Sequence, residues 1–230
     1  TKRLVKVSKT TSKIGSSGWL ALTLLIVILA GLFWRSFAAD FVHFNNDGPL
    51  GQQNANWLKL PAAMTGMWDD LNDVGFSAGS LTPGVTAFIK FALGSVGFAK
   101  FYAPLALLIL GLGAWTFFRC LKLAPPAAIL GALAATLGSA FFAGACWGVA
   151  SVEIAMGFNF LALALASANH HETPWFVRWI RLALAGFCVG VNVMEAADVG
   201  ALCSLLIAGF VFFTSLVDTG GNFFAKTARG

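Results

Sequence analysis

AAILGALAATLGSAFFAGACWGVASVEIAMGFNFLALALASA, residues 127–168, carries a single charge, Glu153, in 42 residues. One helical crossing of a bilayer takes about 20 residues, so this stretch reads as two crossings, 127–143 and 149–168. Gly144-Ala145-Cys146-Trp147-Gly148 is the natural turn between them. Glu153 then falls about one turn inside the second crossing, where an ionised carboxylate needs a partner or a polar cavity.

The rest of the chain has the same character. Of its 230 residues, 58% are hydrophobic and 11% charged, and the mean hydropathy is +0.79. Soluble domains carry about 25% charged residues, so this is the composition of an integral membrane protein. The expected class is an all-α membrane protein with about six transmembrane helices. A large extracytoplasmic first loop would carry juxtamembrane helices. Further crossings are expected at 18–34, 101–118, 180–194 and 199–217, which leaves 1–17 as a basic start and 218–230 as a tail. The membrane bundle proper is then 101–217, with 35–100 as the first loop.

The net charge of +5 does not indicate nucleic acid. Five of the fifteen Lys/Arg lie in the first thirteen residues and most of the rest flank apolar runs, which is topogenic charge. The start, the Arg119/Lys122 turn, the Arg178/Arg181 turn and the tail with Lys226 and Arg229 fall on one side of a six-crossing bundle. The positive-inside rule makes that side cytoplasmic and the Asp-rich first loop external. Arg35, Lys59, Lys90 and Lys100 dissent. Lys90 also interrupts the apolar stretch 84–97, which therefore reads as a juxtamembrane or re-entrant segment rather than a crossing.

Within the first loop, residues 58–74 have the spacing of an amphipathic interfacial helix, with Leu60, Met64, Met67, Trp68 and Leu71 on one side and Asp69, Asp70 and Asp73 on the wet face. Gly186 and Gly190 form a GxxxG spacing, a signal of close helix packing. The four cysteines show neither metal-ligand nor disulfide-framework spacing. His170 and His171 lie in a turn without a ligating partner at suitable spacing, and no histidine is placed for pigment ligation inside the bilayer. Asn159 and Asn192 are the deep polar positions, too few for a transporter's continuous polar path.

The acidic residues of the external side are the candidates for chemistry. Asp47 sits in Asn45-Asn46-Asp47-Gly48-Pro49, a strong turn signal, with Asp40 upstream and Gln52 and Gln53 downstream. Asn192, Glu195 and Asp198 are three apart and would share one face of a continuous helix. A carboxylate at the outer end of a helix bundle can act as general base for a hydroxyl acceptor, or hold a divalent cation that neutralises a phosphate leaving group. Structural duties compete with these roles: Glu153 could pair with Arg35 or Lys90, and Asp198 could cap the last crossing.

Asp47 followed by Gly51-Gln52-Gln53 resembles the first-loop pattern of the YfhO-like bacterial membrane proteins, and the order of elements resembles the front of the GT-C glycosyltransferases. Asn54 stands where that pattern usually has Tyr. The resemblance implies the N-terminal portion of a longer enzyme in the bacterial inner membrane, N-terminus cytoplasmic. Such an enzyme would move sugar from a polyprenyl-phosphate donor to an extracytoplasmic acceptor, with Asp47 as the catalytic or metal-binding acid and Asp40 as its alternative. Topology alone adds Glu153 to the catalytic set and Glu195 and Asp198 to the substrate-binding set, which Gln52 and Gln53 of the motif and Asn192, by its spacing to Glu195, complete. A non-catalytic accessory subunit that packs against other membrane subunits is the competing expectation.

Overall fold

The computed structural model describes residues 14–64, 83–167 and 174–218. Among those residues all regular structure is helical, in eight α-helices and two short 3-10 turns, with no strand. The basic start, the turn with His170 and His171, Asp69, Asp70, Asp73 and the tail lie outside the described residues, as does most of the expected interfacial helix.

Helix α1 (Ile14–Leu32) runs into a 3-10 turn (Trp34–Phe37) and a non-helical segment that leads to α2 (Leu50–Leu58). The long helix α3 (Val85–Cys120) follows, then α4 (Pro125–Leu137), α5 (Ser139–Trp147), α6 (Ser151–Ser167), α7 (Trp175–Glu195) and α8 (Ala197–Asp218). Helix α3 is the hub, packed against α6, α4, α2, α1 and α5, while α7 and α8 pack chiefly on α6 and on each other. The main core gathers Leu29, Phe98, Leu107, Ala145 and Ile154 from α1, α3, α5 and α6, with Phe33 from just after α1.

Three described helices are long and apolar enough to cross a membrane: α3, α7 and the Ala197–Thr214 part of α8. The pair α4–α5 makes a fourth if counted as one span, bent by 45°. The bend sits at Gly138, whose extended backbone (φ −55°, ψ 130°) interrupts the helix expected over 127–143. Helix α6 has 17 residues; at 1.5 Å per residue it is roughly 26 Å long, just under the hydrocarbon thickness.

Within 84–97 the chain forms a short helix that a kink at Gly94 sets off from the longer helix behind it; φ of 69° and ψ of 177° there are open to glycine alone at little cost. Lys90 argued against a crossing there, but its side chain is buried in the protein rather than turned to lipid. Only the first residues of the interfacial helix expected over 58–74 are described, and they include a 3-10 turn at Ala62–Met64. Leu58 ends α2 instead of starting a helix, and the polar Gly51-Gln52-Gln53 stretch is itself helical.

Close helix approach occurs away from the GxxxG pair. A Cβ built on Gly186 or Gly190 would meet nothing within 4 Å. A Cβ on Gly113 would stand 2.4 Å from the Gly157 carbonyl oxygen, so α3 and α6 touch backbone to backbone. Both helices need glycine there because any side chain would force them apart. Sequence spacing marks glycine pairs on one helix; it does not show which helix lies opposite.

Candidate functional site

The end of α1, the start of α3, the α5–α6 turn and the α7–α8 turn meet at one end of the bundle. The contact between Asp47 and the α5 terminus is built from backbone chemistry. A helix leaves its last carbonyls without intrahelical donors. In α5 those carbonyls accept from the segment before α2: the Asn46 and Asp47 N–H groups donate to Trp147 O at 3.0 and 3.3 Å, and His43 Nε2 donates to Cys146 O at 2.8 Å. Gly148 then turns the chain with φ of 115°, and its Cα lies so close that a Cβ would be 3.3 Å from both Asn45 Cβ and the Asp47 nitrogen. Gln53 is buried and donates from Nε2 to Gly48 O at 3.1 Å, which closes the Gly48-Pro49 turn from inside.

Glu195 holds the start of α3. Its carboxylate accepts the Thr86 N–H at 3.1 Å and the Thr86 hydroxyl. Negative charge at a helix N-terminus meets unpaired N–H groups and the positive end of the dipole. The Thr86 hydroxyl proton is committed to Glu195, so the Tyr102 hydroxyl is the donor in the 2.7 Å bond to Thr86 Oγ1. Tyr102 stacks on Phe98 with centroids 4.1 Å apart, and the Lys90 ammonium stands 4.8 Å from the Phe98 centroid. One continuous set of contacts therefore runs from Glu195 through Thr86, Tyr102 and Phe98 to Lys90.

Between these elements lies a cavity of about 290 Å³. Its wall includes Asp47, Gln52, Gln53 and Asn56 from the α2 side, Thr86, Lys90 and Tyr102 from α3, Ser151 from α6 and Glu195 from α7. Asp47 is exposed, and among the described residues its side chain accepts one long hydrogen bond, from Asn46 Nδ2 at 3.3 Å. Lys90, by contrast, is 3% exposed.

Four of the residues singled out in the sequence thus share one cavity: Asp47, Gln52, Gln53 and Glu195. The other four do not line it. Asp40 is exposed beyond the 3-10 turn after α1. Asp198 is exposed in the first turn of α8, where its Oδ1 accepts the Val199 N–H at 2.8 Å. The shared face expected for Asn192, Glu195 and Asp198 fails at Ala196, whose extended backbone (φ −147°, ψ 93°) ends α7 and puts Asp198 on another helix. Asn192 is fully buried and neither of its side-chain polar atoms has a hydrogen-bond partner. Glu153 is buried over Gly144, with Oε2 unpartnered. The expected pairing of Glu153 with a cation is absent, since Arg35 stands over the Phe41 ring and Lys90 over Phe98.

The polar wall residues Asn56, Thr86, Lys90, Tyr102 and Ser151 lay outside the sequence-derived set. A lone cation inside an apolar stretch was the available signal for Lys90; Thr86 gave none. Among the described residues, no group of three or more His, Cys, Asp or Glu side chains is arranged to hold a metal ion. Asp47 and Glu195 do not supply such a set, because the Glu195 oxygens already serve Thr86 and a buried ammonium lines the same cavity.

The fold and the site define a helical, apolar protein of membrane type with a small polar cavity, two carboxylates and one ammonium at one end. No protein-family model, curated protein or solved structure matches this chain.

Proposed function

We propose that this chain is a GT-C-like membrane glycosyltransferase module that takes the sugar head of a polyprenyl-phosphate donor into the cavity and transfers it to a hydroxyl acceptor at the extracytoplasmic face. The observation that carries the reading is that Asp47 and Glu195, far apart in sequence, line the same cavity. Asp47 is the acid with a free side, as a general base must be. It takes the proton from the acceptor hydroxyl as the acceptor oxygen bonds to the anomeric carbon. The bond from that carbon to the phosphate oxygen breaks, and the lipid phosphate leaves with the electron pair. Glu195 does no chemistry here: it anchors the α3 start, and with it the cavity wall. Gln52 and Asn56 are placed to hydrogen-bond sugar hydroxyls.

The cavity is at the small end of the roughly 300–1,000 Å³ typical of small-molecule sites. That suits one sugar ring or one head group, with the polyprenyl tail outside against the apolar helices. In this reading α1, α3, the bent α4–α5 pair, α6, α7 and α8 make six crossings in the bacterial inner membrane with the N-terminus cytoplasmic. The exposed Trp175, Trp179 and Arg178 at the start of α7 supply the interfacial anchor at the opposite end. The accessory-subunit reading needs the carboxylates tied up by Arg35 or Lys90, and neither cation pairs with one among the described residues.

A photoreactive polyprenyl-phosphate hexose tests the placement. Crosslinks to peptides that contain Gln52, Asn56 or Ser151 are expected. Labelling confined to the lipid-facing Leu205 and Leu206 of α8 contradicts it.

A further inference from the structure

We infer that Lys90 is the oxyanion-holding group of this cavity, and that its ligand is a phosphate. The side chain is 3% exposed, and Lys90 lines the cavity. Its ammonium stands over the face of Phe98, 4.8 Å from the ring centroid. An aromatic face attracts a cation but offers no hydrogen-bond acceptor lone pair. No carboxylate or carbonyl among the described residues takes a hydrogen bond from Lys90, so its three donors are uncommitted. A buried charge without a counter-ion is costly and is kept where a partner arrives.

The acids of the cavity do not fill that place. Glu195 is occupied by the Thr86 N–H and hydroxyl. Asp47 is exposed, and the backbone bonds to Trp147 O fix its position. Neutral polar groups complete the surround: Gln52, Asn56 and Ser151 line the same space and can donate to further phosphate oxygens. The stem of Lys90 is held in turn. Thr86 is one helical turn before it on α3, so the clamp by Glu195 fixes the turn from which Lys90 projects. The break at Gly94 then lets Phe98 lie under the ammonium.

Phosphate is the anion that matches a compact, three-donor ammonium in a small polar cavity. It comes from one of two sources, a lipid-borne phosphate or the free ion. The assignment rests on the transferase reading only for the donor's identity; phosphate binding itself needs neither Asp47 nor transfer.

The test uses the protein in phosphatidylcholine nanodiscs, with polyprenyl phosphate in the disc or inorganic phosphate in solution, and affinity read from phosphorus NMR titration. Lys90→Met keeps an apolar stem on Phe98 and removes the charge; Lys90→Arg keeps the charge. Wild type binds, Lys90→Met binds at least about ten-fold more weakly, as expected for one lost charge-assisted hydrogen bond, and Lys90→Arg retains binding. Lys90-dependent binding of polyprenyl phosphate alone assigns the lipid source, and equal binding of inorganic phosphate assigns the free ion; either supports the inference. Equal affinity in wild type and Lys90→Met, or no binding of either probe by wild type, overturns it. A measurement without any variant guards against misfolding: the bound phosphate shields Lys90 from reductive methylation, read by peptide mass spectrometry, and methylation unaffected by phosphate overturns the inference. Phosphate binding is read here without any transfer step, so a failed transfer assay leaves this result standing.

Discussion

Glu195 and Thr86 are 109 positions apart in sequence, and the carboxylate of one caps the helix in whose first turn the other lies. This contact ties the α7–α8 turn to the start of α3 and so sets the width of the cavity between them. Glu195→Gln keeps an acceptor for the Thr86 hydroxyl but removes the charge at the helix start. Loss of about 1 kcal/mol of stability is expected from Glu195→Gln, and about 1–3 kcal/mol from Glu195→Ala, which leaves the Thr86 donors unpaired. Thermal unfolding in detergent measures both. An unchanged midpoint in Glu195→Ala would show that the cap is ornamental.

Gly148 joins α5 to α6 at a positive φ, directly beneath Asp47. Gly148→Ala places a Cβ in a region that L residues reach at a cost of about 1–2 kcal/mol, and presses it on the Asp47 backbone. A lower unfolding midpoint is expected, together with freer hydrogen exchange at the Asn46 and Asp47 amides. Full protection of those amides in the variant would mean that the loop is held by something else.

Glu153 is buried, with one oxygen unpartnered. Replacing a buried, uncompensated acid by its neutral isostere often leaves stability unchanged or raises it. Glu153→Gln should therefore unfold at the same or a higher temperature and retain ligand binding in the cavity, which Glu153 does not line. A loss of cavity ligand binding with stability intact would restore Glu153 to the functional set.

Gly113 stands against the Gly157 carbonyl. Gly113→Ala must separate α3 from α6, because the obstructing atom is backbone. A loss of about 1–3 kcal/mol is expected from overpacking, with Gly186→Ala near neutral as the control, since nothing lies within 4 Å of its built Cβ. Equal effects from the two substitutions would argue against the α3–α6 contact.

The helical, apolar architecture was legible because uncharged runs of helix-spanning length need no tertiary information to be seen. The helices at 180–194 and 199–217 appear within a few residues of their expected positions, whereas of the turn expected over Gly144–Gly148 only Gly148 leaves the helix, 144–147 being the end of α5. Lys90 shows where that reading stops. On a one-dimensional hydropathy trace a lysine breaks an apolar run, whereas in three dimensions Phe98 and the cavity give it a place inside α3. The candidate acids divide for a similar reason. Asp47 and Glu195 reach the cavity because the α5 terminus and the α3 terminus hold them there. Asp198 was grouped with Glu195 by spacing alone, and the break at Ala196 separates them. Which helix faces Glu153 is likewise a matter of packing, which sequence periodicity does not encode.

The most direct measurement of the proposed chemistry is sugar transfer by Asp47→Asn protein, purified in nanodiscs and compared with wild type and with Asp40→Asn at equal loading. Asn keeps the shape of the side chain and cannot accept the acceptor's proton. Loss of at least about two orders of magnitude in rate is expected for a general base, with phosphate binding and unfolding midpoint unchanged, while Asp40→Asn transfers normally. Transfer at the wild-type rate by folded Asp47→Asn protein would contradict the assignment of this cavity as a transferase site.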